Sequence, residues 1–339
     1  MKEVTTIGLD LAKNVFQVHG VDRAGAVVVR RALRRSQVLA WFAKLAPCLV
    51  GMEACATAHY WGRELQKRGH EVRLIPPAYA RAYVRRNKND PADAAAICEA
   101  VGRPSMRFVA IKTEPQQAVA GIHRVRELLM KQHTMLRNQL RGLMAEFGVV
   151  AAKGRRGLNE LLAILCDPED RCIPSPLRAG LIAIMETLQA VERKLEGIDR
   201  QMVAAGRADA TCRHLVTAPG YGPLLSSAMA ALVIDPGAFR RSSDFAASLG
   251  LVPRQDGSGG KVRLGPISKR GNGYLRRLLV NGATSLIKAQ HVRQDPWVAK
   301  LLASKPRKVV AVALANKLAR IGWALMTRQE DFRGRAVAA

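Results

Sequence analysis

Residues 4–21, VTTIGLDLAKNVFQVHGV, decide the fold of the first part of this chain. Val4 to Leu9 is an apolar run rich in β-branched residues. After Asp10 to Asn14, the segment Val15 to Val21 alternates Val15, Gln17, His19 and Val21 against Phe16, Val18 and Gly20. Period-two runs separated by a short break predict two strands joined by a tight turn. Ile7, Leu9 and Leu11 share one parity, and Gly8, Asp10 and Ala12 the other. Asp10 is therefore expected on a face of small residues that a ligand or metal can approach.

Working outward, Val21 to Ala26 reads as a turn and Val27 to Arg31 as a third strand, completing an antiparallel meander. A helix over 36–45 follows. Cys48 to Met52 is then a short apolar strand ending in Glu53. A helix from Thr57 or Ala58 to Arg68, stopped by Gly69, leads to a strand over Glu71 to Ile75, punctuated by Pro76-Pro77. Three meander strands followed by strand, helix and strand is the order of a ribonuclease-H-like α/β domain. In that arrangement Asp10 and Glu53 both fall at strand ends, where open α/β sheets place their ligands.

A third acidic element is NKNDPADAAAI, residues 87–97. Pro91 suits the first helical position, which makes Asp90 the N-cap and puts Asp93 three residues on, on the same side. Capping and the helix dipole explain those two acids when they are taken alone. Combined with Asp10 and Glu53 they make four carboxylates, whose mutual repulsion of several kcal/mol calls for cations. Oxygen-only ligands suit Mg²⁺ or Mn²⁺, and a two-metal phosphodiester site is the natural chemistry.

The chain has 339 residues, and its 54 Lys plus Arg against 27 Asp plus Glu give a net charge of +27. That excess points to a polyanion, nucleic acid first. No signal peptide or long uncharged apolar segment is read, so a cytoplasmic protein with no membrane partner is expected. The six cysteines lack the spacing of a zinc site and read as small buried hydrophobes.

Glu114 to Phe147 predicts one long helix with an apolar stripe from Val119 to Phe147, and Leu177 to Met202 a second. Residues 151–175 between them read as a linker or a pair of short elements. The seam on the second helix suits an intramolecular hairpin or a dimer coiled coil alike. The region from 216 to 339 carries 20 Lys plus Arg against 6 Asp plus Glu, a net +14 and half the total excess. Within it, Gly220 and Gly222 form a Gly-x-Gly turn. A helix-hairpin-helix that offers backbone N–H groups to a phosphate and a plain helical connector fit that turn equally. QDGSGGKVRLG, residues 255–265, places Ser258 between glycines in what reads as an exposed, mobile turn. Arg254, Lys261 and Arg263 stand near enough to bind phosphate. Lys269, Arg270, Arg276 and Arg277 follow in a basic turn into a helix and are expected on nucleic-acid backbone. The Walker A pattern is not met, because Val262 stands where Ser or Thr is needed.

These motifs, taken in order, resemble the DEDD-type insertion-sequence transposases of the IS one-ten family, with the C-terminal wording of its IS eleven-eleven subgroup. The resemblance spans nearly the whole chain. It is carried by IGLDLAKNVFQVHGVD, the Glu after LVGM, NKNDPADAAAICEA, LVTAPGYGPLLSSAMAA and GLVPRQDGSGGKVRLGPISKRGNGYLRRLLVNGA. It implies an α/β plus α architecture: a RuvC-like domain over 1–112, a helical coiled-coil middle over 113–207 that oligomerises, and a basic transposase domain over 208–339. It maps an acidic tetrad onto Asp10, Glu53, Asp90 and Asp93, and a nucleophilic serine onto Ser258. It also implies donor and target DNA as substrates, an element-encoded guide (bridge-type) RNA, and a homo-oligomer, dimer or tetramer, with composite sites. The serine loop departs from the pattern in having one serine rather than two before Gly259-Gly260. Ser226, Ser227, Ser242 and Ser243 are weaker alternatives.

The expected chemistry is attack by Ser258 on a DNA phosphodiester held at the acidic site, giving a phosphoserine-linked intermediate. A junction-resolvase-like nuclease using water, an actin-like ATPase and a noncatalytic nucleic-acid scaffold are the competing readings. The ATPase lacks a Gly-Thr pair after the first Asp, where Leu11-Ala12-Lys13 stands instead.

Overall fold

The computed structural model describes residues 3–80, 90–258 and 261–333. The chain divides into two compact units, Met1–Gln117 and Ala118–Ala339.

The first unit holds β1 (Thr6–Asp10), β2 (Val15–Val21), β3 (Val27–Arg34), α1 (Val38–Phe42), β4 (Leu49–Glu53), α2 (Ala58–Gln66), β5 (Glu71–Ile75), α3 (Pro77–Ala80) and α4 (Asp90–Val101). Its sheet runs β3-β2-β1-β4-β5, with the first three strands antiparallel and β1, β4 and β5 parallel. The meander and the parallel extension expected from the sequence are both present. β3 continues three residues past the expected Arg31, because Leu33 buries against Phe16 and Arg34 pairs with Val15. The expected helix over 36–45 is a 3₁₀ turn at Arg35–Gln37 followed by the short α1.

Register sorts the side chains onto two faces. Ile7, Leu9, Phe16, Val18, Val50 and Met52 pack with Val38, Phe42, Trp61 and Leu65 of α1 and α2. The opposite parity places Gly8, Asp10, Gly51 and Glu53 under α4, whose Ile97 and Val101 pack on Ile75.

The second unit starts within α5 (Glu114–Ala145). It continues through α6 (Arg155–Cys166), α7 (Ser175–Ala208), α8 (Ala210–Val216), α9 (Pro223–Leu232), α10 (Ser242–Ser248), β6 (Pro253–Ser258), β7 (Lys261–Ile267), α11 (Gly273–Leu286), α12 (Gln290–Arg293), α13 (Pro296–Ser304) and α14 (Arg307–Arg328). The region read as a linker or a pair of short elements contains the 12-residue α6, whose Leu158, Leu161 and Leu165 join Leu140 of α5 and Leu181 and Leu188 of α7 in one core. Arg126 bonds Asp199 and His133 bonds Glu192, so α5 and α7 run antiparallel and the long seam is an intramolecular hairpin.

A larger core joins α8 to α14. Among the described residues, α14 is the one helix long and apolar enough to cross a membrane. Half of that stretch is buried inside the protein, with Val310, Leu314, Leu318 and Leu325 in the C-terminal core.

Candidate nucleic-acid processing site

The position of α4 follows from two glycines. Gly8 and Gly51 are register partners on β1 and β4. A Cβ at Gly8 would run into the carbonyl of Ala94 and the amide of Cys98, and one at Gly51 would lie 2.7 Å from Val101 Cβ and 3.2 Å from Ile97 Cγ2. The Cys98 thiol donates to the Thr6 carbonyl at 3.7 Å. α4 therefore runs antiparallel to β1, with Cys98 over Thr6 and Ala94 over Gly8. Four helical residues advance about 6 Å and two strand residues about 6.6 Å, so the next step places Asp90 at the level of Asp10. By the same count Asp93, one turn before Ile97, begins the helical row that lies over β4 and leads toward Glu53.

Asp10, Glu53 and Asp93 are all half-buried. The side chain of Asp90 lies outside the described residues. Among the described side chains no three of His, Cys, Asp or Glu converge closely enough to hold a metal ion. The fold brings the backbones of the three acidic segments to one end of one sheet face, while the described side chains of Asp10, Glu53 and Asp93 do not themselves close into a metal-binding group.

In the second unit the serine segment is a two-stranded hairpin, not the irregular turn expected from its glycines. β6 and β7 pair Gln255 with Leu264, Asp256 with Arg263 and Ser258 with Lys261. Alternation in KVRLGPI supplies β7, and the flanking glycines masked that period. The Ser258 and Lys261 side chains lie outside the described residues, whereas Arg254 and Arg263 are exposed. The roots of the hairpin are fixed: the Ser268 amide donates to Val252 O at 2.8 Å and the Lys269 amide to Gly250 O at 3.2 Å.

Two family models match this chain: one for DEDD transposases of IS110 type, described as "Transposase", over residues 7–148, and "Transposase IS116/IS110/IS902 family" over 212–298. A Pseudomonas aeruginosa protein described as "Probable family 20 transposase" is 48% identical, covering 97% of this chain and 99% of the relative. The transposase for insertion sequence element IS1328 of Yersinia enterocolitica is 40% identical over 98% of this chain and 99% of its own length. That for IS1111A of Coxiella burnetii is 38% identical over 98% and 92%. The chain belongs to the IS110 family of insertion-sequence transposases. Its activity is accordingly an enzymatic rearrangement of DNA.

Several residues picked from the sequence of this IS110-family transposase as phosphate contacts have structural tasks. Gly220 has φ of +82°, and a Cβ there would lie 2.8 Å from Leu286 Cδ1 and 3.1 Å from Leu318 Cδ1. The adjacent Tyr221 is buried, with its hydroxyl donating to Leu318 O at 2.9 Å. Close packing accounts for this glycine, while Gly222 is exposed at the N-cap of α9. Arg276 donates to the carbonyls of Leu249 and Arg270 at 2.8 and 2.9 Å, tying α11 to the hairpin root. Arg277 pairs with Glu127 at 2.8 Å and lies over the Tyr274 ring. Lys269, in the left-handed region at φ 55°, and Arg270 remain exposed.

A buried polar cluster escaped the sequence reading. His123 Nδ1 lies 2.9 Å from the Tyr274 hydroxyl and its Nε2 lies 3.2 Å from Ser227 Oγ. Burial, and secondarily the charge of Arg126, push the His123 pKa down to about 4, so the ring is neutral and holds one proton for two partners. Ser227, one of the alternative serines, is occupied there. Only the wide spacing of these three residues hid them.

Proposed function

We propose that this IS110-family transposase cuts and rejoins DNA through a covalent bond to Ser258, at a RuvC-like acidic site completed by Asp10, Glu53, Asp90 and Asp93. What supports the reading is the arrangement of the first unit. Its 3-2-1-4-5 sheet order is that of ribonuclease-H-like domains, and Asp10 and Glu53 end neighbouring parallel strands beneath the first turn of α4. Those four carboxylates would hold Mg²⁺ or Mn²⁺, which when bound neutralises their charge and polarises the phosphodiester.

The Ser258 hydroxyl attacks phosphorus: the Oγ–P bond forms as the hydroxyl proton is given up to water, the bond to the leaving sugar oxygen breaks, and that oxygen takes up a proton in turn. Attack by a hydroxyl of another DNA end reverses the step and releases the serine. The phosphodiester energy is kept in the phosphoserine, so rejoining needs no ATP. Exposed Arg254 and Arg263, with Lys261, stabilise the negative charge that grows at phosphorus.

Ser258 of one copy serves the acids of another in a dimer or tetramer. An element-encoded RNA pairs with donor and target, leaving the protein to read backbone and helix shape. The net charge of +27 suits a chain that holds both nucleic acids.

The deciding experiment incubates the protein with end-labelled element DNA and Mg²⁺ and resolves products after denaturation. A protein–DNA adduct is expected, absent from Ser258→Ala and from Asp10→Asn. Free cut ends with no adduct would make water the nucleophile. Sequencing the nucleic acid that copurifies tests the RNA, since a discrete transcript encoded beside the gene is expected.

A further inference from the structure

A groove beside the same sheet end, where the edge of β2 and β3 meets α2, has no task in that reading. It is lined by Asn14, Arg34, Arg35, Ser36, Tyr60 and Trp61, with a volume of about 670 Å³. Ligand sites commonly span roughly 300–1,000 Å³, enough for a nucleotide.

Its location follows from register. Asp10 pairs with Gln17, Gln17 with Ala32, and Arg34 lies two residues further along β3, opposite Val15. Two strand spacings and two residues of rise separate Asp10 from Arg34 by about 12 Å. A stacked strand advances about 3.4 Å per nucleotide, so the groove stands roughly three or four nucleotides from the carboxylate.

The chemistry of the lining suits a nucleotide with its base unpaired. Arg63, Arg68, Arg73 and Arg103 of this unit are each bonded to an acceptor. Exposed Arg34 has no carboxylate partner among the described residues. Arg35 lies 5.1 Å over the Trp61 ring and 5.8 Å over Phe16. Trp61 meets Tyr60 edge to face at 5.3 Å, and Tyr60 is 43% exposed. The buried Trp61 indole N–H meets no acceptor, an unmet donor within the groove wall. A free cation beside an exposed ring is the pairing that holds single strands, phosphate to guanidinium and base to aromatic face.

We propose that this groove binds one unpaired nucleotide of a nucleic-acid strand, with its phosphate on Arg34 and its base against Tyr60. The placement rests on the reading that the adjoining sheet end acts on such a strand; the binding itself does not require that the acids be catalytic.

The test photo-crosslinks the full-length protein to 5-iodouracil oligonucleotides, as single-stranded DNA, single-stranded RNA and duplex DNA of one sequence, followed by peptide mapping. A crosslink at Tyr60 from a single strand is expected, and the DNA or RNA arm that gives it identifies the source. It should be weak with the duplex, absent with an abasic site at the reactive position, and retained in Asp10→Asn. Tyr60→Leu should weaken single-strand binding roughly fivefold or more, and Tyr60→Phe, which keeps the ring, should restore it. Arg34→Ala should lower the single-strand salt slope by about 0.7. The proposal is overturned if no single strand marks Tyr60, or if Arg34→Ala and Tyr60→Leu bind single strands as the unaltered protein does. A Tyr60 crosslink without any serine adduct would uphold the groove while removing the covalent mechanism.

Discussion

Gly8 of β1 and Gly51 of β4 stand side by side, and α4 rests directly on the two of them. That contact fixes the height and direction of the helix that begins at Asp90. Any side chain at either glycine pries the acidic helix off the acidic strands.

Gly8→Ala should therefore destabilise the first unit by about 3 kcal/mol, since backbone atoms of Ala94 and Cys98 occupy the space a methyl group needs. Gly102→Ala, just beyond α4, meets only Glu99 O at 4.0 Å and should stay within about 0.5 kcal/mol of the unaltered protein. Urea denaturation followed by the loss of sheet and helix signal checks both. Equal effects from the two would remove the close approach of α4 as the cause.

Two arginines separate structure from DNA contact. Arg277→Ala loses the Glu127 pair and the Tyr274 ring, so stability should drop by about 1 kcal/mol while the salt dependence of duplex binding stays unchanged. Arg263→Ala, on the exposed hairpin, should leave stability alone and reduce the salt slope by about 0.9. Thermal melts and binding titrations over a salt series give both readings.

Stability of the second unit should depend on pH through His123. Its pKa is lowered to about 4 in the folded chain, against about 6.5 unfolded, so the unfolded chain binds the proton first. The contribution of the neutral ring is whole above about pH 6.5 and is lost as pH falls toward 4. His123→Gln should flatten that interval, and His123→Leu, which strands the Tyr274 and Ser227 hydroxyls, should cost about 2 kcal/mol at pH 7. Denaturation midpoints measured from pH 4 to 8 decide it.

Gly220→Ala should cost at least about 2 kcal/mol, from the positive φ and the crowding by Leu286 and Leu318. Gly222→Ala, with open space and φ of −80°, should be nearly silent in the same melt. A silent Gly220→Ala would return that residue to the role of a phosphate-facing turn.

Most of the first unit was legible because its signals are local. Parity within IGLD and LVGME fixes which side chains share a face, and Asp90-Pro91 marks the helix start. What stayed hidden depends on contacts distant in sequence. Nothing near Gly8 announces Ala94, and nothing near His123 announces Ser227 or Tyr274. Glycines carried more than one meaning: those around Ser258 concealed a regular strand pair, and Gly220 fitted a phosphate loop and a helical connector alike, its packing against Leu286 and Leu318 being visible only in the fold. The basic run RRALRR, residues 30–35, was in plain view, but only the fold shows that Arg34 and Arg35 stand beside Tyr60 at the acidic end of the sheet.

Among the described residues no third strand joins the β6–β7 hairpin, which keeps Arg254 to Gly257 and Leu264 in solvent, while hydrogen bonds at Gly250 and Val252 clamp its base. Six extended residues measure about 20 Å. Ser258 thus rides at the end of an arm anchored to one rigid body, and the radius it can sweep is set by strand length. Shortening the arm by one residue pair at each strand would withdraw the hydroxyl by about 7 Å without disturbing the core that carries it.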